Sequence, residues 1–297
     1  MQITQTGRRV VNRRGFMYIL GWGTRRILGL LTSSLRVLPD FIIIGAQRSG
    51  STSLYNYLIE HPDILPGLMK EVHFFDNHYH KGVNWYRSFF PLSASIQYLE
   101  RAHQRRFITG EATPYYLYYP HAPRRIKACC PNVKLIALLR NPVERAYSHY
   151  HHEVRLGIEE LPFAEAIERE KSDVPRETAK ILEDENYRSF SHQNYSYISR
   201  GIYIEQLEAW NKYFSREKML VLKSEELFSN PDLILDRTYE FLGISKKTPT
   251  DFQVHNSLDY KDIEPELYEA LTDYFEPYNH RLYQFLDLNL DWEKTAH

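Results

Sequence analysis

Cysteine is scarce in this sequence, net charge is close to zero, and long apolar runs are missing. The 297 residues include two cysteines, Cys129 and Cys130, whose adjacency disfavours a mutual bridge because the closed ring is strained. We therefore expect a reducing, cytoplasmic compartment and not a disulfide-stapled secreted fold. No uncharged apolar stretch reaches about eighteen residues, so no segment reads as a membrane span. A net charge of −1 argues against nucleic acid as a partner, since nucleic-acid binders carry a basic excess.

The rest of the composition is that of a globular protein. Apolar residues make up 43% of the chain, enough to offset the chain entropy lost on folding. The 13 glycines and 15 prolines exclude collagen-like and low-complexity sequences. The length lies near the upper limit for a single core, and neither a repeat nor a Ser/Gly linker divides it. One domain over residues 39–290 is expected, preceded by an arm over residues 1–38.

Charge is unevenly distributed between the arm and the domain. Residues 1–38 contain seven of the 37 basic residues, all arginine, and no acidic residue. The other residues hold 30 basic and 38 acidic side chains and therefore carry about −8. Two apolar blocks in the arm, Phe16–Leu20 and Ile27–Leu31, are short for a signal peptide. Two interpretations stay open: a loosely docked terminus, or contact with an anionic membrane surface, which would make the protein membrane-peripheral.

Strands alternate with helices from Pro39 onward, a pattern typical of parallel α/β sheets. Continuous apolar runs at 40–45, 133–139 and 219–222 indicate strands buried on both faces. Asn141 followed by Pro142 is a helix start directly after the second run. We predict a P-loop-like, doubly wound parallel sheet flanked by helices in a single domain. Helices are expected over residues 51–60, 202–214, 231–242 and 265–286, and a flexible polar excursion over the site at 157–195.

The segment Gly45–Thr52 indicates an anion site. A buried strand enters a glycine-containing loop and a helix follows at once, so backbone N–H groups and the helix dipole converge on one point. The spacing of the glycines and of the two hydroxyl residues after them is close to that of nucleoside-triphosphate loops. The residues expected to bind phosphate are Gln47, Arg48, Ser49, Gly50, Ser51 and Thr52.

Two positions depart from a triphosphate site. Ser51 stands where the phosphate-binding lysine is expected, and the cation lies inside the loop as Arg48. The strand over 133–139 ends in Arg140, whereas phosphoryl-transfer enzymes place an aspartate for Mg²⁺ at a neighbouring strand end. The residues therefore predict a nucleotide with two separated anionic ends and no metal. A P-loop small-molecule kinase or a nucleotide-binding protein is the alternative.

Four segments fit one family pattern when taken together: Gly45–Thr52, Lys70–Asp76, Gly110–Pro114 and Leu139–Ser148. They resemble the sulfotransferases that use 3′-phosphoadenosine 5′-phosphosulfate (PAPS), above all the heparan sulfate glucosaminyl branch. The resemblance extends along the chain from about Pro39 to about Leu286. The resemblance implies that Gln47–Thr52 bind the 5′-phosphosulfate, with Arg48 beside the bridging oxygen. It implies that Arg140 and Ser148 hold the 3′-phosphate, and that no metal is needed.

The resemblance also implies how the reaction proceeds. A hydroxyl or amine of the acceptor, with a carbohydrate ranked first, would displace the phosphate in line. Glu71 matches the carboxylate that similar glycan sulfotransferases use as general base, worth about 10²–10⁴-fold in rate. His73 is the alternative base, because cytosolic relatives use histidine and its pKa is suitable. His73, Asp76 and Tyr203 are expected to shape the acceptor side.

Departures from the heparan enzymes leave the acceptor open. Ala112 stands where the animal enzymes have lysine, so a cation directed at the acceptor or the sulfuryl group is missing. Their C-terminal Lys-Gly-Arg loop has no clear counterpart in residues 256–261. A polysaccharide ranks first, then a small glycoside, a lipid or a protein tyrosine. The aromatic run Tyr115–Tyr119 either stacks on sugar rings or packs in the core.

Overall fold

The computed structural model describes residues 23–247 and 262–294, and its strands form one parallel sheet. The strands are β1 (Phe41–Gly45), β2 (Ile64–Pro66), β3 (Ile108–Ala112), β4 (Lys134–Leu139) and β5 (Met219–Lys223). Their order across the sheet is β2-β3-β1-β4-β5, so β1 is central and β2 and β5 form the edges. This confirms the predicted parallel α/β architecture in one domain.

Helices flank the sheet. The first, α1, lies over residues 23–31. The others are α2 (Ser51–Ile59), α3 (Val83–Arg87), α4 (Ser93–His103), α5 (Ala122–Cys129), α6 (Pro142–Arg155), α7 (Phe163–Glu183), α8 (Phe190–Asn194), α9 (Tyr203–Asn211), α10 (Ser224–Ser229), α11 (Pro231–Leu242) and α12 (Pro265–Leu286). Asn141 caps α6 as predicted, since its side-chain oxygen accepts from the Val143 N–H over 2.9 Å.

Alternate residues of the central strand enter two separate apolar cores. Phe41 and Ile43 pack on one face, with side chains of α2 and α11. Ile42 and Ile44 pack on the other, with the aromatic residues that follow β2 and with α9. All four side chains are fully buried. Burial on both faces explains why the strand reads as a continuous apolar run without alternation.

The strand order places a crevice at one edge of the sheet. From β1 the chain builds β2 and β3 on one side and then crosses to place β4 on the other. In open α/β sheets, ligands bind at the carboxyl ends of the strands where this direction reverses. The loop over residues 46–50 follows β1, and Arg140 follows β4. Topology therefore brings the two predicted anion-binding segments together.

The prediction of a flexible excursion over residues 157–195 is wrong, because most of it is helical. The 21-residue helix α7 buries a stripe at helical spacing that includes two carboxylates, Glu170 and Glu177. Glu170 accepts hydrogen bonds from the N–H groups of Ile198 and Ser199 over 2.7 and 2.8 Å. These bonds compensate a buried charge, and a carboxylate in an apolar stripe masks the helical period in the sequence.

Candidate active site

The loop after β1 has the backbone conformation of an anion cradle. Gly50, the residue before α2, has φ of 88°, and Arg48 within the loop has φ of 67°. No side chain caps the amino end of α2 at Gly50, so its first N–H groups suit an external anion. A Cβ atom on Gly45 would lie 2.5 Å from the Leu117 Cβ, which explains the glycine there. The conformation of the loop and the uncapped start of α2 thus suit an anionic group.

Two guanidinium groups and one hydroxyl meet beside this loop. Arg48 Nε donates to Ser148 Oγ over 3.1 Å. Arg140 Nη1 donates to the Arg48 carbonyl over 3.5 Å, and Arg140 Nη2 donates to Glu144 Oε2 over 3.2 Å. Ser148 lies on α6, whose capped start directly follows Arg140. The structure therefore brings Arg48, Arg140 and Ser148 into one crevice.

A row of alternating charges lies on the other side of the loop. Lys70 Nζ donates to Glu71 Oε1 over 2.6 Å and to Thr52 Oγ1 of α2 over 2.7 Å. His73 Nε2 lies 3.5 Å from Glu71 Oε2, and His73 Nδ1 lies 2.6 Å from Asp76 Oδ2. The Glu71 side chain is 41% exposed, whereas that of Asp76 is fully buried. Glu71 is therefore accessible to an acceptor, and Asp76 holds His73.

The charges in this row set the protonation states. Burial alone raises the pKa of Glu71, but hydrogen bonds from His73 and Lys70 outweigh it and lower the pKa to about 2. Burial alone lowers the pKa of His73, but bonds to Asp76 and Glu71 raise it to about 10. At neutral pH Glu71 is ionised and His73 is an imidazolium with both nitrogens engaged. An imidazolium cannot accept a proton, which favours Glu71 over His73 as a base.

A buried carboxyl group holds the backbone of the segment that carries Glu71 and His73. Glu111, on β3, is fully buried and accepts from Tyr86 Oη over 2.5 Å, Thr113 Oγ1 over 2.7 Å and the Val72 N–H over 3.3 Å. The Val72 bond fixes the chain between Glu71 and His73. Burial raises the pKa of Glu111 to about 7. The sequence analysis assigned no role to Glu111. A charged residue inside a buried strand is unusual, and this could have marked Glu111 as a candidate.

Tyr203 and most of the tyrosine run after β3 lie in the interior of the protein. Tyr203, expected on the acceptor side, is buried, and its hydroxyl donates to the Arg140 carbonyl over 2.9 Å. It therefore lies on the Arg140 side of the crevice. Tyr115, Tyr116 and Tyr119 are also buried, which supports core packing over sugar stacking. Residues 256–261, compared above with a closing loop, lie outside the described residues.

Of the two segments that the structure describes, neither contains a group of three or more metal-ligating side chains able to hold an ion. The donors around the loop are guanidinium, ammonium, hydroxyl and N–H groups, which suit anions. The fold is that of a parallel α/β protein, and its site places two guanidinium groups and a hydroxyl beside the loop after the central strand. The sequence profile of the sulfotransferase domain matches residues 38–291. The chain belongs to this family and is a sulfotransferase, as its motifs predicted.

Known proteins similar to this chain include two characterised enzymes and one crystal structure. The membrane-associated sulfotransferase kil1 of Dictyostelium discoideum is 26% identical over 87% of this chain and 67% of its own length. The heparan sulfate glucosamine 3-O-sulfotransferase 3A1 of Mus musculus is 29% identical over 89% of this chain and 67% of its own. A sulfotransferase from Alicyclobacillus acidocaldarius is 30% identical, covers 86% of this chain and 99% of its own, and superposes with a TM-score of 0.64.

Proposed function

We propose that the protein transfers a sulfuryl group from PAPS to a hydroxyl or amine of a carbohydrate, with Glu71 as general base. The observation that carries this proposal is the convergence of Arg48, Arg140 and Ser148 on one crevice, with Glu71 joined to the same loop through Lys70 and Thr52. PAPS supplies the sulfuryl group, which bonds to the acceptor oxygen or nitrogen as its bond to the 5′-phosphate oxygen breaks.

The loop and the guanidinium pair would hold the two anionic ends of the nucleotide. Residues 47–52 offer N–H groups and the amino end of α2 to the 5′ end. Arg48 stabilises the negative charge that grows on the leaving phosphate oxygen. Arg140 and Ser148 bind the 3′-phosphate, and Tyr203 fixes the Arg140 backbone. Positioning and charge stabilisation are the main contributions that such a transfer needs from a protein.

Glu71 would take the proton that the acceptor loses. Its carboxylate is partly exposed and ionised at neutral pH, so it is ready to accept. Asp76 orients His73, and His73 in turn holds Glu71 Oε2. His73 therefore acts as a positioning residue, and Asp76 acts through it. Both lie on the acceptor side without serving as the base.

A carbohydrate is the acceptor class that the comparisons favour. Several relatives carry names as heparan sulfate glucosamine 3-O-sulfotransferases or bifunctional heparan sulfate N-deacetylase/N-sulfotransferases. Transfer of radiolabelled sulfate from PAPS should be measured with four acceptors: a heparan-type polysaccharide, a small glycoside, a lipid and a tyrosine peptide. Label on a sugar supports the proposal. Label on the lipid or the peptide alone would contradict the acceptor class.

The nucleotide assignment can be tested without an acceptor. Calorimetry with adenosine 3′,5′-bisphosphate should detect binding that EDTA leaves unchanged. Arg140→Ala should weaken binding more than about tenfold, since charge-assisted bonds to phosphate are strong. Arg176→Ala, at a side chain that is 62% exposed on α7, is the matched control. Mg²⁺-dependent ATP binding with no affinity for the bisphosphate would instead support the kinase alternative.

We also propose that the arm contacts an anionic membrane surface and that the domain works in the cytoplasm. Ile27, Leu28 and Leu31 of α1 are between 57% and 77% exposed, whereas Arg26 turns inward over the Phe89 ring at 3.8 Å. Apolar side chains beside an arginine-rich segment suit anionic lipid. Residues 1–22 lie outside the described residues. Within residues 23–247 and 262–294, no helix is both long and apolar enough to span a bilayer.

Sedimentation with phosphatidylserine and with phosphatidylcholine vesicles tests the membrane contact. Binding to the first alone, reduced in an Ile27→Ser and Leu31→Ser double variant, is expected. Equal recovery of the protein in the supernatant with both vesicle types would contradict it.

A further inference from the structure

A lysine joins the two halves of the site. The Lys70 ammonium donates to Thr52 Oγ1 over 2.7 Å and to Glu71 Oε1 over 2.6 Å. Thr52 lies in the first turn of α2, directly after the anion loop, and Glu71 is the proposed base. The Lys70 side chain is 20% exposed. Its ammonium group therefore lies between the loop that would hold the 5′ end and the base that would face the acceptor.

An ammonium group at this point is unfavourable unless an anion lies beside it. The amino end of a helix carries partial positive charge, which attracts anions and repels cations within the first turn. In the structure the Glu71 carboxylate supplies the compensating charge. An anion bound on the loop would offer Lys70 a second partner at the same place.

The backbone of Lys70 lies next to that of Ala112. The Ala112 N–H donates to the Lys70 carbonyl over 3.2 Å, so the two residues are direct backbone neighbours. Ala112 is fully buried at the end of β3 and carries no charge. The segment beside it thus carries a lysine, the residue type that position 112 lacks.

We propose that Lys70 is a catalytic residue that contacts the sulfuryl oxygens of PAPS and leaves Glu71 when it does so. The inference rests on the proposed function and adds a residue to it. Charge-assisted bonds of this kind strengthen as negative charge develops in the transition state. Because Lys70 is one of the groups that lower the pKa of Glu71, its departure makes Glu71 a stronger base once the donor is bound. The acceptor proton then goes to Glu71, and Lys70 forms no covalent bond.

The test compares Lys70→Met, Lys70→Arg and the control Lys212→Met, whose exposed side chain directly follows α9. Calorimetry without acceptor gives the affinity for PAPS and for adenosine 3′,5′-bisphosphate. Lys70→Met should lose about tenfold in affinity for PAPS and keep the affinity for the bisphosphate, which lacks the sulfuryl group. The kcat should fall about 10²–10³-fold, the usual effect of removing one transition-state donor. Lys70→Arg should recover part of both.

The pH profile separates this role from a structural one. Removal of the Lys70 cation should raise the pKa of Glu71 in the free enzyme, so the acid limb of kcat/KM for PAPS should move to higher pH in Lys70→Met and stay unchanged in Lys212→Met. A melting temperature close to that of the wild-type protein shows that a variant is folded. Lys70→Met with an unchanged ratio of PAPS to bisphosphate affinity overturns the inference alone. A wild-type protein that binds neither nucleotide overturns the proposed function, and the inference falls with it.

Discussion

Arg48 and Ser148 are 100 residues apart in sequence, and a hydrogen bond of 3.1 Å joins them in the structure. The bond links the loop after the central strand to the helix that begins after β4. Arg140 completes the link, because its guanidinium donates to the Arg48 carbonyl. The groups proposed to bind the two ends of the nucleotide are therefore mechanically coupled. Loss of one should disturb the other.

Ser148→Ala is expected to weaken adenosine 3′,5′-bisphosphate binding by about five- to tenfold. The substitution removes a hydroxyl proposed to bind the 3′-phosphate, and it releases Arg48 from its hydrogen bond. A lost bond to a charged group costs about 1.5–3 kcal/mol, of which water restores a part. Calorimetry on both proteins measures the change. Ser172→Ala, at an exposed serine of α7, is the control, and equal affinity in Ser148→Ala would contradict the placement.

Glu71→Gln should reduce kcat by about 10²–10⁴-fold while the affinity for the bisphosphate changes little. The amide keeps the shape of the carboxylate and cannot accept the acceptor proton, and this range is typical of a general base. Steady-state sulfate transfer and calorimetry give the two quantities. Glu168→Gln, at a side chain that is 69% exposed, should behave as wild type. Full activity of Glu71→Gln would exclude Glu71 as the base.

The pair of Glu71 and His73 should make stability depend on pH in a defined direction. The pKa of His73 is raised to about 10 in the folded state, so its contribution is complete below its ordinary value of 6.5 and is lost as the pH rises toward 10. The pKa of Glu71 is lowered to about 2, so its contribution is complete above 4.5 and is lost as the pH falls toward 2. Both are present between about pH 4.5 and 6.5.

Urea unfolding of wild type and of His73→Gln across pH measures this dependence. The difference in unfolding free energy should be largest between about pH 4.5 and 6.5 and should shrink from pH 6.5 to 10. His280→Gln, at an exposed histidine of α12, should give no such profile. A difference that grows with pH above 6.5 would show that His73 is neutral in the folded protein.

Local signals made half of the site predictable from the sequence. The glycines around Arg48 and the Asn141 cap before α6 each act within a few residues, so the loop and the Arg140 segment could be placed on their elements. Strand order then brings them together, and a doubly wound sheet predicts that meeting as well. These parts of the site depend little on distant contacts.

The other half depends on contacts that no local pattern contains. The bond between Lys70 and Thr52 exists only because the chain after β2 returns to the start of α2. Tyr203 was expected on the acceptor side, yet its hydroxyl meets the Arg140 carbonyl from α9. In α7, Glu170 lies in the apolar stripe because loop N–H groups from residues 198 and 199 compensate it. Such partners are known only once the chain is folded.

Glu111→Ala should cost both stability and turnover, because Glu111 fixes the chain that carries the base. The substitution leaves the buried Tyr86 hydroxyl and the Val72 N–H without their acceptor, and an unsatisfied buried donor costs about 1–3 kcal/mol. Release of Val72 also frees Glu71 from its position beside Lys70, so kcat should fall while affinity for the bisphosphate stays near wild type.

Urea unfolding and steady-state kinetics on the same preparation measure the two effects of Glu111→Ala. Glu168→Ala, on the exposed face of α7, provides the baseline for removing a carboxylate. Glu111→Gln should be milder, because its amide oxygen can still accept from Tyr86 while its NH₂ group opposes the Val72 N–H. A hydrogen-bonding role requires Glu111→Gln to lie between wild type and Glu111→Ala, since a role of charge alone would make the Gln and Ala variants equivalent. Unfolding free energies and kcat values that are equal for Gln and Ala would therefore assign Glu111 a purely electrostatic role.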